Sequence, residues 1–207
     1  MYHQVSIIDY GMGNIWSVLS AFEFIGAKTK IITEPDEIYD AECLILPGVG
    51  SFKNAMSKIK AKSLDEAIKN ASAKGTKILG ICLGMQLLSL SSTEDGYTEG
   101  LSLINGLVEK FDTNIIKKNF KIPHIGFNSV YSNEKSKFYS SLRYKTDFYF
   151  VHSYRIKSLN GNFYLGFCDY GENFIASFQK DNIFGTQFHP EKSQTNGLQL
   201  LKNFMEI

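Results

Sequence analysis

The chain has 207 residues, of which 43% are hydrophobic and 14% aromatic, enough to fill the core of one large domain spanning residues 1–207. A formal net charge of +1, with basic residues scattered and only the short KSKFYSSLRYK stretch (135–145) mixing Lys with aromatics, gives no stripe for nucleic acid. No apolar run approaches the roughly 20 residues that cross a bilayer. The opening MYHQVSIIDYG lacks the basic and apolar regions of a signal peptide, so no membrane and a cytoplasmic location are expected. The cysteines, Cys43, Cys82 and Cys168, are odd in number and lack CxxC spacing, and the four histidines are dispersed. That argues against a disulfide scaffold or a metal cluster and suits a reducing compartment.

In chain order, VSIIDYG (5–11) reads as a strand, and NIWSVLSAFEFIG (14–26) as a helix ending at Gly26. KTKIIT (28–33) and CLILPGVG (43–50) are two further strands. SFKNAMSKIKAKSLDEAIKNASAKG (51–75) is helical material up to Gly75. KILGIC (77–82) is the fourth strand, and LGMQLLSLSS (83–92) turns helical. Alternating strands and helices predict βαβ units with a mainly parallel sheet covered on both faces.

The second half changes texture. LSLINGLVEKF, KIPHIGFNSVY, FYFVHSYRI, NFYLGFCDY and ENFIASFQKDNIFGTQF are β-branched and aromatic segments punctuated by NG, GEN and KDN. They predict an antiparallel or mixed set of strands, closed by a helix in TNGLQLLKNFMEI. The expected fold is α/β, a flavodoxin-like mixed and mainly parallel sheet flanked by helices, with a β-rich second half.

Two short stretches carry chemistry. In GICLG (80–84) a cysteine flanked by glycines stands where a strand hands over to a helix. In such G-x-nucleophile-x-G corners small neighbours let the backbone bend, and the helix N-terminus favours a thiolate at Cys82. In GTQFHPEKS (185–193), His189 follows an apolar run, Pro190 takes the chain out of the sheet, and Glu191 is close enough to orient the imidazole. Cysteine, histidine and glutamate supply a nucleophile, a base and an acceptor that fixes the base's tautomer. Each alone also suits ordinary packing; together they point to a triad.

GICLGMQ with QFHPEKS resembles the class I, triad-type glutamine amidotransferases. IDYGMGN (8–14), LPGVGSF (46–52), the P-H-x-G-x-N of IPHIGFN (122–128) and YFVHSY (149–154) add a closer resemblance, to the glutaminase subunits of imidazole glycerol phosphate synthase. The resemblance implies that Cys82 attacks the side-chain amide of glutamine, that His189 shuttles the proton and that Glu191 orients His189. It implies an oxyanion hole from Leu83 and from the Gly48-Val49-Gly50 loop, with Val49 and Gly50 as donors once the loop is correctly oriented. Glutamine binding falls to Gly48, Gln86, Glu94, His152, Ser153 and Tyr154, the last three through backbone contacts; a packed strand histidine is the better reading of the His152 ring than a rival base. Met12, Asn14 and Lys192 match a face that meets a partner.

The sequence has no phosphate-binding glycine loop with a Lys, and GMGN is too short for a dinucleotide fingerprint. No cofactor is implied. The resemblance implies instead a heterodimer with a (β/α)8-barrel cyclase subunit that receives ammonia and makes imidazole glycerol phosphate and aminoimidazole carboxamide ribotide. Two departures stand out: Ile125 and Phe127 replace the usual Met and Trp, and ENFIAS differs from the usual small-residue-rich stretch. They leave open a paralogous subunit that feeds ammonia to a surface-polysaccharide or flagellar sugar amidation enzyme. A peptidase or chaperone sharing the cysteine corner would have no reason to keep Gln86, PGVG and HPEK together. A non-catalytic regulatory subunit would be expected to have lost Cys82 or His189.

Overall fold

A computed structural model describes residues 4–112, 120–132 and 135–207. The first half builds the expected βα units. Strand β1 (Gln4–Ile8), helix α1 (Ile15–Phe24), β2 (Lys28–Ile32), α2 (Pro35–Tyr39) and β3 (Cys43–Gly48) come first. Then follow α3 (Phe52–Ala61), α4 (Leu64–Ala73), β4 (Lys77–Cys82) and α5 (Leu83–Leu87). Beyond them lie β5 (Ser91–Ser92), β6 (Thr98–Glu99), β7 (Gly106–Lys110), β8 (His124–Tyr131), β9 (Lys145–His152) and β10 (Tyr154–Leu159). β11 (Tyr164–Asp169), β12 (Asn173–Lys180), β13 (Ile183–Thr186) and α6 (Gln194–Glu206) complete the chain.

Among the described residues, nine strands form one sheet in the order β2-β1-β3-β4-β13-β12-β11-β8-β9. β2, β1, β3, β4 and β13 run parallel, and from β13 onward the neighbours are antiparallel. The sheet is mixed, as expected, but four of its neighbour pairs are parallel and four antiparallel, so it is not mainly parallel. β3 is buried along its whole length, as the continuous apolar run demands of a strand covered on both faces. Phe22, Phe184, Phe188 and Phe204 are fully buried on one side of the sheet's core, Phe52, Ile68, Leu87 and Phe178 on the other.

Three further expectations need correction, and the helical stretch 51–75 divides in two. The first strand ends at Ile8, because Asp9 Oδ1 accepts the Gly11 N–H at 2.8 Å and Gly11 takes φ +85°, which turns the chain. The stretch 51–75 is two helices. Ser63 stands between them at φ +54°, so that α3 buries Phe52, Met56 and Ile59 while α4 reorients to bury Leu64 and Ile68. No glycine or proline marks that break.

The helix after Cys82 stops at Leu87, and Ser91 and Ser92 instead pair with β6 and β7. Serines that bond the backbone outside a helix make such an exit cheap. The segment FYFVHSYRI is not one strand: it breaks at Ser153, with β9 at the edge of the large sheet and β10 at the edge of a second, four-stranded sheet, β10-β7-β5-β6. The short helix α2 has no counterpart in the sequence reading. Pro35 opens it, and the Glu37 carboxylate accepts the Thr33 and Glu34 N–H groups at 3.0 and 3.3 Å.

The two sheets are tied by a buried charge cluster. Arg155 on β10 is 4% exposed and places Nε 2.6 Å from Glu172 Oε1, in the turn between β11 and β12. Its Nη1 donates to the Glu109 carbonyl on β7 at 3.1 Å. This holds β10 over the end of the large sheet where the candidate site lies.

Candidate active site

β3 and β4 end side by side, with Gly48 opposite Cys82 in the register. The corner at Cys82 is tight, and the residue that bends is the cysteine itself, at φ +54° and ψ −111°. Non-glycine residues in that region cost about 1–3 kcal/mol and persist where the surroundings impose them. The flanking glycines serve a different purpose from the bending expected of them. A Cβ on Gly84 would overlap the Leu46 carbonyl oxygen, and one on Gly80 would lie 2.7 Å from the Gly84 and Met85 backbone. They let α5 pack directly on β3 and β4, which forces the turn at Cys82.

His189 is delivered from the other side. β13 lies parallel to β4, and past its end the chain carries Gln187, Phe188 and His189 before the 3₁₀ turn Pro190–Lys192. The His189 Nδ1 is 2.7 Å from Glu191 Oε1, and both side chains are almost fully buried, at 3% and 1% exposure. Nδ1–H therefore donates to the carboxylate, which leaves Nε2 for the substrate side. Nε2 is buried without a hydrogen-bond partner. Burial disfavours the imidazolium, but the neighbouring Cys82 and Glu191 outweigh it and raise the His189 pKa to about 10. An imidazole whose charged form is favoured, beside a thiol, is the arrangement in which a histidine can serve as base to a cysteine. Burial pushes the other two thiols, Cys43 and Cys168, up to about 12, which removes them as nucleophiles near neutrality.

A pocket of about 320 Å³ opens over Cys82 and His189, walled by Val49, Gly50, Leu83, Gln86, Glu94, Pro123, Val151, His152, Ser153 and Tyr154. Nearly every residue expected at the site is thus brought to one cavity. Val49 is 43% exposed, and Gly50 sits at φ +93°, in the region glycine tolerates. Glu94 accepts the Phe52 N–H at the start of α3 at 2.8 Å, and burial raises its carboxyl pKa.

Both N–H groups of Gln86 are engaged within the protein, with the Tyr154 carbonyl and Gln187 Oε1 at 2.9 Å each, so its own carbonyl is what remains for a ligand. The His152 ring is turned away from base chemistry. It bonds the Tyr154 carbonyl at 2.8 Å and His124 at 3.1 Å, and burial lowers its pKa to about 3.

Gly48 lies beside the pocket wall. A Cβ there would meet the Tyr10 hydroxyl, itself bonded to the Pro47 carbonyl at 3.0 Å, and the Leu83 side chain. The three residues expected on a partner face lie next to site elements. Met12 reaches to 2.8 Å from where a Gly50 Cβ would be. Asn14 caps α1 by accepting the Ser17 N–H at 3.4 Å, and Lys192 is exposed, 6.0 Å from the Tyr149 ring centre. Sequence reasoning missed Pro123 and Val151 in the wall, and also Gln187 and Ser193 behind it. The one available signal for the last two was their position, two residues before and four after His189.

The family described as glutamine amidotransferase class-I matches residues 6–207, and the chain belongs to it. Within that class the chain is similar to imidazole glycerol phosphate synthase subunits. It is 47% identical over 204 residues to subunit HisH 1 of Campylobacter jejuni subsp. jejuni serotype O:23/36, covering 98% of this chain and 100% of that one. To subunit HisH of Moorella thermoacetica it is 43% identical over 203 residues, covering 98% and 94%. The fold is shared with the structure of PurLQS from Thermotoga maritima, at a TM-score of 0.76 and 18% identity over 100% of this chain and 99% of that one. The protein is a glutamine amidotransferase enzyme, and among the described residues no helix is long and apolar enough to cross a membrane.

Proposed function

We propose that the chain is the glutaminase subunit of imidazole glycerol phosphate synthase, one glutamine amidotransferase domain over residues 1–207, working in the cytoplasm. The observation that carries this reading is the Cys82 corner facing a His189 held at 2.7 Å by Glu191, inside a pocket of amino-acid size, in a chain similar to HisH subunits along its whole length.

Cys82 sulfur, having given its proton to His189, attacks the carboxamide carbon of glutamine. The resulting oxyanion takes hydrogen bonds from the Leu83 N–H and from the Val49–Gly50 loop, each worth about 3 kcal/mol in such holes. As the tetrahedral adduct collapses, the C–N bond breaks and His189 returns the proton to the departing nitrogen, which leaves as ammonia. Water, deprotonated by His189, then cleaves the Cys82 thioester to glutamate. Gln86, Glu94 and the backbone of His152, Ser153 and Tyr154 hold the amino acid's polar ends, and Gly48 gives the loop room. Met12, Asn14 and Lys192 face the cyclase, a (β/α)8 barrel through which the ammonia is passed.

The test is ammonia release from glutamine by the chain alone and with the histidine-pathway cyclase of the same source, with the cyclase's nucleotide substrate present. Release that is near zero alone and rises strongly in the complex supports the reading. No complex and no stimulation, with Cys82 still reactive, assigns the subunit to the sugar amidation enzyme. That second reading is favoured by Ile125 and Phe127, which are 59% and 52% exposed on β8, where a change of side chain alters what docks.

A further inference from the structure

We propose that Gln187 is a positioning residue for the nucleophile: its side-chain amide donates a hydrogen bond to the Cys82 sulfur and stabilises the thiolate. The proposal rests on the reading of Cys82 as the nucleophile and adds to it a group outside the triad.

Gln187 is fully buried, and its Nε2 is 3.8 Å from Cys82 Sγ, within hydrogen-bond reach of a sulfur. A buried amide contributes only if the right end faces the sulfur, and here its neighbours fix the direction. Gln86 Nε2 lies 2.9 Å from the Tyr154 carbonyl, an obligate acceptor, so that atom is the amide nitrogen. Its second N–H points at Gln187, 2.9 Å away, so the Gln187 atom there is the oxygen. The Gln187 nitrogen is therefore the atom toward Cys82.

The same carbonyl of Tyr154 also sets the tautomers behind it. It accepts from His152 Nδ1–H at 2.8 Å, which leaves His152 Nε2 to accept from His124 Nδ1–H at 3.1 Å. Burial keeps both imidazoles neutral, with pKa values lowered to about 4 for His124 and about 3 for His152. One arrangement of protons thus runs from β8 through β9 and α5 to the nucleophile, and it presents a donor at the sulfur.

A donor is needed there because another neighbour works against the anion. The Val151 carbonyl lies 3.9 Å from Sγ and accepts the S–H of the thiol, which favours the protonated form. The other titratable groups acting on the sulfur are His189, held by Glu191, and the buried Tyr10 hydroxyl on the β1 side. His189 supplies the counter-charge, and Gln187 is the neutral donor. A hydrogen bond to a charged group corresponds to about a tenfold change in such an equilibrium, or about one pH unit.

Gln187→Met keeps the length and apolar volume and removes the donor. Gln187→Leu removes the donor with a smaller side chain that is likewise uncharged, so neither variant adds a charge beside the sulfur. The experiment follows carbamidomethylation of Cys82 by iodoacetamide against pH, located by peptide mass, with Cys43 and Cys168 as internal references and thermal unfolding as the check on folding. The expected result is a Cys82 reactivity midpoint raised by about one unit in both variants, with kcat for glutamine hydrolysis down about tenfold and KM little changed. If Gln187→Met does not fold, Gln187→Leu carries the test. Midpoints that coincide with the parent's, even where activity falls, would overturn the proposal. A parent Cys82 that reacts no faster than Cys43 would overturn the nucleophile reading instead, and the proposal with it.

Discussion

Tyr149 and His189 form an antiparallel bridge in which the His189 N–H donates to the Tyr149 carbonyl at 2.9 Å. The Ser193 hydroxyl closes the same junction, accepting the Tyr149 N–H at 2.9 Å and donating to the His189 carbonyl at 2.6 Å. His189, the proposed base, is thereby tied to β9, the edge strand of the large sheet, although its motif sits past β13.

Ser193→Ala leaves the part-buried Tyr149 N–H without its partner and the His189 carbonyl with the Lys192 N–H alone. It is expected to lower stability by about 1–3 kcal/mol and to reduce kcat more than it raises KM, because His189 loses its placement. Denaturant unfolding and steady-state kinetics on the same preparation check both.

Glu191→Gln keeps the shape but can turn an N–H toward His189 Nδ1, which selects the wrong tautomer. Glutamine hydrolysis is expected to fall about 10²–10⁴-fold, by the precedent of carboxylates that hold a triad histidine, whereas Cys82→Ser is expected to abolish it. Retention of more than a tenth of the activity in Glu191→Gln would show that the carboxylate does not orient His189.

Gly84→Ala places a Cβ on the Leu46 carbonyl oxygen, so α5 must lift from β3. The expected cost is about 1–3 kcal/mol or more, with loss of activity through movement of Cys82. Gly75→Ala meets nothing within 4 Å and has only its φ of +90° against it, so it is expected to cost about 1–2 kcal/mol and leave kcat unchanged. Paired melting curves and activities separate the two effects.

Stability is expected to be greatest near pH 6.5. Burial lowers His124 to about 4 and His152 to about 3, so as pH falls from 6.5 the unfolded chain takes up protons that the folded chain refuses, and stability drops down to about pH 3. His189, raised to about 10, acts in the opposite sense. Its contribution is fully present below 6.5 and is lost as pH rises through about 10. Melting temperatures between pH 4 and 10 check this, and a flat acid limb would mean that the folded protein protonates the histidine pair.

Much was legible in the sequence because it is local. Gly-Ile-Cys-Leu-Gly at a strand-to-helix handover and His-Pro-Glu after an apolar run each hold their chemistry within a few residues. The alternation of apolar runs with helical spacing in the first half reports its own period. These features determined the α/β class, the parallel strands β1 to β4 and the residues of the candidate triad.

Tertiary structure alone decided the rest. Nothing in FYFVHSYRI marks Ser153 as the point where one apolar run is divided between two sheets, since both pieces keep a strand's pattern. Which glutamine faces Cys82, and which way round, depends on Gln86, Tyr154 and His152 arriving together from three elements. Arg155 is buried because Glu172 and β7, from other parts of the chain, enclose it. Such choices are set by register and packing between segments dozens of residues apart, where buried polar groups must find partners, and no local periodicity carries that information.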